Sequence, residues 1–224
     1  MKTFVTNRAP ARLESHSKPV SYSEFLEKFR TKLGQIFHVR ADIDKFSLKR
    51  GLPPFVLREI MACNPLSACI PSQYGGRGGH IHESLAMLAT SAYESLALAL
   101  TFGINWALFL QPVAKYAQEE TKGPIFKRFL RDKTMGGLMI TEPDYGTDAL
   151  NMKTAYVESE KHYHVQGTKH WGGLTGWADF WLVTARERAQ TATSSATSTF
   201  LSATRTVPTR RSSSRSTTRT WGST

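Results

Sequence analysis

Gly137-Leu138-Met139-Ile140-Thr141-Glu142-Pro143-Asp144-Tyr145-Gly146-Thr147-Asp148 decides how the chain is read, because an apolar, strand-like run ends there in a cluster of turn formers and oxygen-bearing side chains. Leu138, Met139 and Ile140 suit a short buried strand, Pro143 fixes φ, and Gly146 offers a positive φ or a close backbone approach. Thr141, Thr147 and Asp148 set polar groups around the bend. Such a loop suits a ligand with a flat polar ring and a phosphate. An ordinary strand-to-loop turn is the plainer reading of the same residues.

Further along come Gly167-Thr168-Lys169-His170-Trp171 and Gly176-Trp177-Ala178-Asp179, followed by an apolar run over 180–185 that Arg186 closes. Earlier in the chain stands Ile70-Pro71-Ser72-Gln73-Tyr74-Gly75-Gly76-Arg77-Gly78. The turn at 70–78, the loop at 141–148 and the stretch at 167–171, in that chain order, resemble motifs of the acyl-CoA dehydrogenase family. The family has an Ile-Pro-x-x-Tyr-Gly-Gly-x-Gly turn in its N-terminal helical domain. Its middle domain carries a Thr-Glu-Pro-x-x-Gly-Ser-Asp loop and a Gly-x-Lys-x-Trp strand around the isoalloxazine ring of FAD. Thr147 replaces the family Ser and keeps a hydroxyl. The resemblance covers roughly 19–188.

What the resemblance implies is FAD-dependent α,β-dehydrogenation of an acyl-CoA thioester, in which a carboxylate removes the α-proton while hydride leaves the β-carbon for the flavin. By motif match, Thr141 and the backbone at Ile140 would hydrogen-bond the pyrimidine side of the ring. Gly146 and Thr147 would contact the pyrophosphate, with Thr147 bordering the substrate's thioester arm, and Trp171 would cover the ring. The family's Trp-Ile-Ser/Thr-Asn is here Trp171-Gly172-Gly173-Leu174, so Gly173 stands where a hydroxyl near flavin N5 is usual. The family's catalytic carboxylate belongs to a C-terminal helical domain, and no acid in this sequence matches its motif. No catalytic residue is therefore assigned, and the chain is expected to be a truncated, inactive fragment. Implied partners are an acyl-CoA substrate, an electron-transfer flavoprotein as acceptor, and further copies in a homo-oligomer. A flavin oxidase or monooxygenase of the same fold, and a non-catalytic binding remnant, are the rival classes.

The expected fold is α+β: an all-helical N-terminal bundle over 19–133, then a truncated antiparallel β-domain over 134–188. A flexible basic N-terminus (1–18) and a disordered Ser/Thr/Arg-rich tail (189–224) flank them. In the helical part Phe25, Phe29, Leu33, Ile36 and Phe37 recur at helical spacing behind the caps Ser21 and Ser23. Pro53-Pro54 opens a second helix that Pro65 stops. Residues 84–110 are apolar enough for a membrane span, but Glu94, Asn105 and a break at Gly103 favour two core helices instead. Pro112 and Pro124 punctuate the helical pattern over 111–132. Period two over 154–159 and 163–166, before a Gly167-Thr168 turn, predicts a β-meander.

Charge and cysteines bound the remaining classes. Of the formal charge of +11, most sits at the ends: residues 1–18 hold four Lys/Arg against one acid, and 189–224 hold five Arg and no acid. That distribution fits solvated tails rather than a nucleic-acid face. Twenty of the last 36 residues are Ser or Thr, which fits an RNA-binding tail, a linker, or a slipped reading frame. Cys63 and Cys69 form no disulfide framework and point to a reducing compartment, the cytoplasm before the mitochondrial matrix. His80/His82 and His162/His164 have no third ligand nearby, so no metal site is expected.

Overall fold

In the computed structural model, residues 20–40, 42, 45, 52–159, 162–188, 198–204 and 219–220 are described, with His162 and the last two segments as backbone only. Helix α1 (Tyr22–Gly34) starts where the Ser21 hydroxyl accepts from the Glu24 amide at 3.2 Å, and a π-helical turn, Gln35–Arg40, extends it. α2 (Pro54–Ala62) has Pro at its first position, where a missing N–H costs nothing. α3 (Ile81–Glu94) is followed by α4 (Leu96–Tyr116) and α5 (Glu119–Asp132). Phe29, Phe102, Phe109, Phe126 and Phe129 are fully buried where these helices meet, which is where the apolar periodicity placed the core.

Punctuation falls elsewhere than the sequence suggested. The break between α3 and α4 lies at Ser95, extended at φ −159°, whose hydroxyl caps Leu98. α4 runs on through Gly103 and Pro112, because a π-helical stretch over Ile104–Leu110 loosens the turn before the proline. It is the one helix among the described residues long and apolar enough to cross a membrane. Its inner face, Phe102, Trp106, Phe109, Leu110 and Val113, is spent on the core, and fully buried Asn105 bonds the sheet. The Ile70–Gly78 motif is a sharp turn between helices: a Cβ on Gly76 would stand 2.0 Å from the Ile70 carbonyl oxygen.

The sheet is mixed, which corrects the expected antiparallel domain within an α+β class that holds. β1 (Gly136–Met139) and β2 (Ala155–Ser159) both run parallel to β4 (Phe180–Glu187), while β3 (His162–Gln166) closes an antiparallel hairpin on β2. A hydrophobic run says nothing about strand direction; the crossovers set it. A second correction concerns the tail. β5 (Ser198–Thr204) pairs antiparallel with β4 along Phe180–Arg186, and β6 (Arg219–Thr220) pairs with β5. The expectation that 189–224 supplies no strand failed because ladder bonds come from the backbone, and Thr-rich sequence suits a strand without apolar alternation. Disorder expected for 1–18 and for the rest of 189–224 lies outside the described residues.

β4 is consequently a central strand, and its first residue, Phe180, is buried. Its ring lies 6.1 Å from that of Phe109 and 5.9 Å from that of Phe129, with the Arg128 guanidinium 4.6 Å above it. One apolar core therefore runs from α1 to Phe180 and Leu182 of the sheet. Two polar bonds fix the junction: Asn105 Oδ1 accepts the Gly136 amide at 2.8 Å, and Asp179 Oδ2 accepts the Met135 amide at 3.0 Å.

Candidate functional site

β1 delivers the chain to residue 140, where a tight turn begins. The Glu142 amide donates to the Tyr145 carbonyl at 3.0 Å and the Tyr145 amide returns to Glu142 at 3.2 Å, a reversal that Pro143 preorganises. Residues 167–171 lie alongside, and the His170 amide donates to the Thr141 carbonyl at 2.8 Å. Thus the two motifs, about two dozen residues apart in sequence, form one rim.

Beneath the rim the motifs are joined by charge. Glu142 and Lys169 pair at 3.0 Å, with side chains only 3% and 7% exposed. All three ammonium protons have oxygen partners: Glu142 Oε1, the Ile140 carbonyl at 3.0 Å and Thr184 Oγ1 at 3.1 Å. Glu142 also accepts the Lys153 amide at 2.6 Å and the Thr154 amide at 2.8 Å. Burial pushes the Glu142 carboxyl up, but the bonds from Thr154, Lys153 and the Lys169 ammonium outweigh it and hold the group at about 2. Sequence reasoning did not single out this pair. The signal was present: the loop motif carries fixed acids, Glu142 and Asp148, and the second motif a fixed Lys169 of opposite sign.

The expected cofactor-facing residues lie on the outer side. Ile140, Gly146, Thr147, Trp171 and Gly173 are exposed and Thr141 is half-buried. Carbonyls 140 and 141 are both engaged inward, whereas the amide and hydroxyl of Thr141 have no protein hydrogen-bond partner among the described residues. Gly146 does not adopt a positive φ, so its conformational freedom is not used; nothing lies within 4 Å of where a Cβ would be, which leaves the approach to its backbone open.

Trp171 is 79% exposed, sits in the left-handed region at φ +61°, and has the His170 ring stacked on it at 4.8 Å. A left-handed bulky residue costs about 1–2 kcal/mol, strain of the kind that collects at ligand sites. Gly173 backs onto α4: a Cβ there would be 3.1 Å from Ile104 Cδ1. With Leu52, Leu100, Ile104, Leu174 and Trp177 it lines an open apolar groove of about 340 Å³.

The acids near the rim have other partners. Asp144 pairs with Lys153 at 3.1 Å, Asp148 accepts from Asn151 Nδ2 at 2.8 Å, and Asp179 holds the Met135 amide. Glu142, held at about 2, is far too weak a base for proton abstraction. Among the described residues no three of His, Cys, Asp and Glu gather as a metal set, although the His80 and His82 rings stack at 5.7 Å. Cys63 and Cys69 are free thiols, and burial pushes Cys69 up to about 12, an inert group.

Residues 29–133 match the family model "Acyl-CoA dehydrogenase, N-terminal domain", and residues 137–222 match "Acyl-CoA dehydrogenase, middle domain". The chain belongs to the acyl-CoA dehydrogenase family. Bovine mitochondrial isovaleryl-CoA dehydrogenase is 26% identical over 106 residues, 47% of this chain and 25% of the relative. The L-prolyl-[peptidyl-carrier protein] dehydrogenase of Pseudomonas fluorescens is 27% identical over 137 residues, 58% of this chain and 36% of the relative.

Among acyl-CoA dehydrogenase folds, the solved enzyme of Geobacillus kaustophilus superposes with a TM-score of 0.70 at 18% identity, covering 87% of this chain and 50% of that one. Butyryl-CoA dehydrogenase of Megasphaera elsdenii gives 0.68 at 19%, covering 84% and 49%. The chain spans about half the length of these two structures and a quarter to a third of the two curated relatives. Because the middle-domain match runs to residue 222, the Ser/Thr-rich stretch that contains β5 and β6 reads as part of that domain.

Proposed function

We propose that the chain binds FAD on the Thr141–Trp171 rim and forms the flavin-holding part of an enzyme that dehydrogenates acyl thioesters. The observation that carries this reading is the commitment of carbonyls 140 and 141 to Lys169 and His170, which leaves Thr141 with its amide donor and its hydroxyl, able to donate or accept, for a ligand. FAD, when bound, supplies the hydride acceptor. Thr141 offers its amide and hydroxyl to the pyrimidine edge, and such fixed donors favour negative charge arriving there. Gly146 and Thr147 leave an open, hydroxyl-bearing approach for the pyrophosphate and the thioester arm. Trp171 presents an indole face that excludes water from one side of the ring. The apolar groove beside Gly173 would take the acyl part of the substrate.

The carrier of that acyl group is coenzyme A or a carrier protein, since both occur in the names of the curated relatives, and an electron-transfer flavoprotein is the acceptor we favour. The two free thiols fit a reducing compartment, for which we favour the cytoplasm. Removal of the α-proton is assigned to no residue of this chain, so the chain by itself should not turn over acyl-CoA. Titrating the full chain with FAD and following quenching of flavin fluorescence tests the reading. Saturable binding that Thr141→Val weakens severalfold is expected, as one hydrogen bond is worth about 1 kcal/mol. Absence of saturable binding would overturn it.

A further inference from the structure

The rim is held from below by charges that the proposed cofactor would not touch. Lys169 has one proton on the carbonyl of residue 140, one on the β4 hydroxyl of Thr184, and one on Glu142. Glu142 in turn grips two successive amides, 153 and 154, at the chain's entry to β2. Five segments therefore converge on one buried ion pair: the end of β1, the turn at 142–145, the approach to β2, the stretch 167–171, and the middle of β4. The one backbone-to-backbone bond between the two rim motifs among the described residues, His170 amide to Thr141 carbonyl, lies immediately beside it.

Building this with charge has a cost. Taking an ammonium and a carboxylate out of water is offset only when both are fully hydrogen-bonded, and apolar groups of similar volume would hold the same space as well or better. What apolar packing does not give is direction. Three ammonium protons and two carboxylate oxygens fix where the carbonyl of residue 140 and the amides of 153 and 154 point, and hence which polar groups of Thr141 face outward.

We propose that the Glu142–Lys169 pair is the positioning device of the rim: it holds Thr141 and His170 in register, and so sets cofactor affinity without contacting the cofactor. This rests on the flavin reading above for its effect on FAD, and on the geometry alone for its effect on the rim. Neither residue is catalytic.

The test separates positioning from stability by comparing three full-length variants with the wild type: Lys169→Met, Glu142→Gln, and the double variant. Each is followed by thermal midpoint, FAD titration, and hydrogen exchange at the His170 amide. Lys169→Met strands a buried carboxylate and should lower both midpoint and affinity. The double variant leaves no unpaired charge and should recover most of the midpoint. Its FAD affinity should nevertheless stay about tenfold or more below wild type, and its His170 exchange should stay faster by a similar factor.

If affinity and exchange return to wild type together with the midpoint, the pair is only a structural tie and the proposal falls. If the wild type binds no FAD, the flavin reading fails by itself. His170 exchange at recovered midpoint then still decides the positioning claim: faster exchange upholds it, unchanged exchange overturns it. Should the double variant fail to recover its midpoint, exchange is compared at a matched interval below each midpoint, and protection at His170 equal to wild type again refutes it.

Discussion

The junction between helices and sheet and the rim above it are built from opposite materials. At the junction Phe109, Phe129 and Phe180 stack, Gly136 passes so close that a Cβ would meet the Phe109 ring at 2.3 Å, and two polar bonds suffice. At the rim the outer residues are bare, and order comes from a buried ion pair with four hydrogen-bond partners around it: the carbonyl of 140, the Thr184 hydroxyl and the amides of 153 and 154. Dense apolar packing tolerates no change of volume but is indifferent to direction. The charged lock tolerates open space above it but fixes direction. A surface that must present particular donors to a ligand needs the second kind of support.

The contrast can be broken at either end. The largest effect is expected for Phe129→Ala at the junction, about 3–5 kcal/mol by denaturant unfolding, because a fully buried ring leaves a cavity its neighbours cannot fill. A loss under about 1 kcal/mol would mean the junction is loosely packed.

Next comes the pH dependence of the lock. The folded carboxyl of Glu142 lies near 2 against an ordinary 4.5, so its contribution is fully present above 4.5 and is lost as pH falls toward 2. Acid unfolding of the wild type should steepen across that window, and Glu142→Gln should flatten this part of the profile. Superimposable profiles would show that other carboxylates dominate.

Asn105→Ala should cost about 1–3 kcal/mol, since it leaves the buried Gly136 amide without its partner. Equal stability would mean that the strand shifts to rebond. The smallest change in stability belongs to Trp171→Gly. Releasing the left-handed strain should offset the glycine's greater chain entropy, leaving stability within about 1 kcal/mol of wild type while FAD binding weakens. A large fall in stability would place Trp171 in the core it is seen to avoid.

Much of the helical half was legible because burial there follows periodicity: Phe29, Leu33 and Ile36 repeat as one stripe, and Ser21 caps where a Ser before Glu should. The rim was legible for another reason, since Thr141, Gly146, Thr147, Trp171 and Gly173 fall within motifs. Strand direction was not, because Leu138–Ile140 and the run at 180–185 would read the same in either sense. Nor was β5, whose Ser and Thr carry no apolar pattern although its backbone completes the ladder on β4. Glu142 and Lys169 were hidden by their own charge. On composition alone a Glu and a Lys belong to the surface, and only the partner across the fold brings them inside.

The arrangement around β4 also governs the order in which the chain can be assembled as it leaves the ribosome. Every described α-helix is complete by residue 132, so the helical layer can collapse before the sheet is made. β1, made next, has no ladder partner until β4 appears more than forty residues later. Until then its peptide groups stand open at the end of an already folded bundle, with Asn105 Oδ1 to steady the first of them. That interval is the stretch of synthesis in which a nascent chain of this design is most exposed to pairing with the wrong strand.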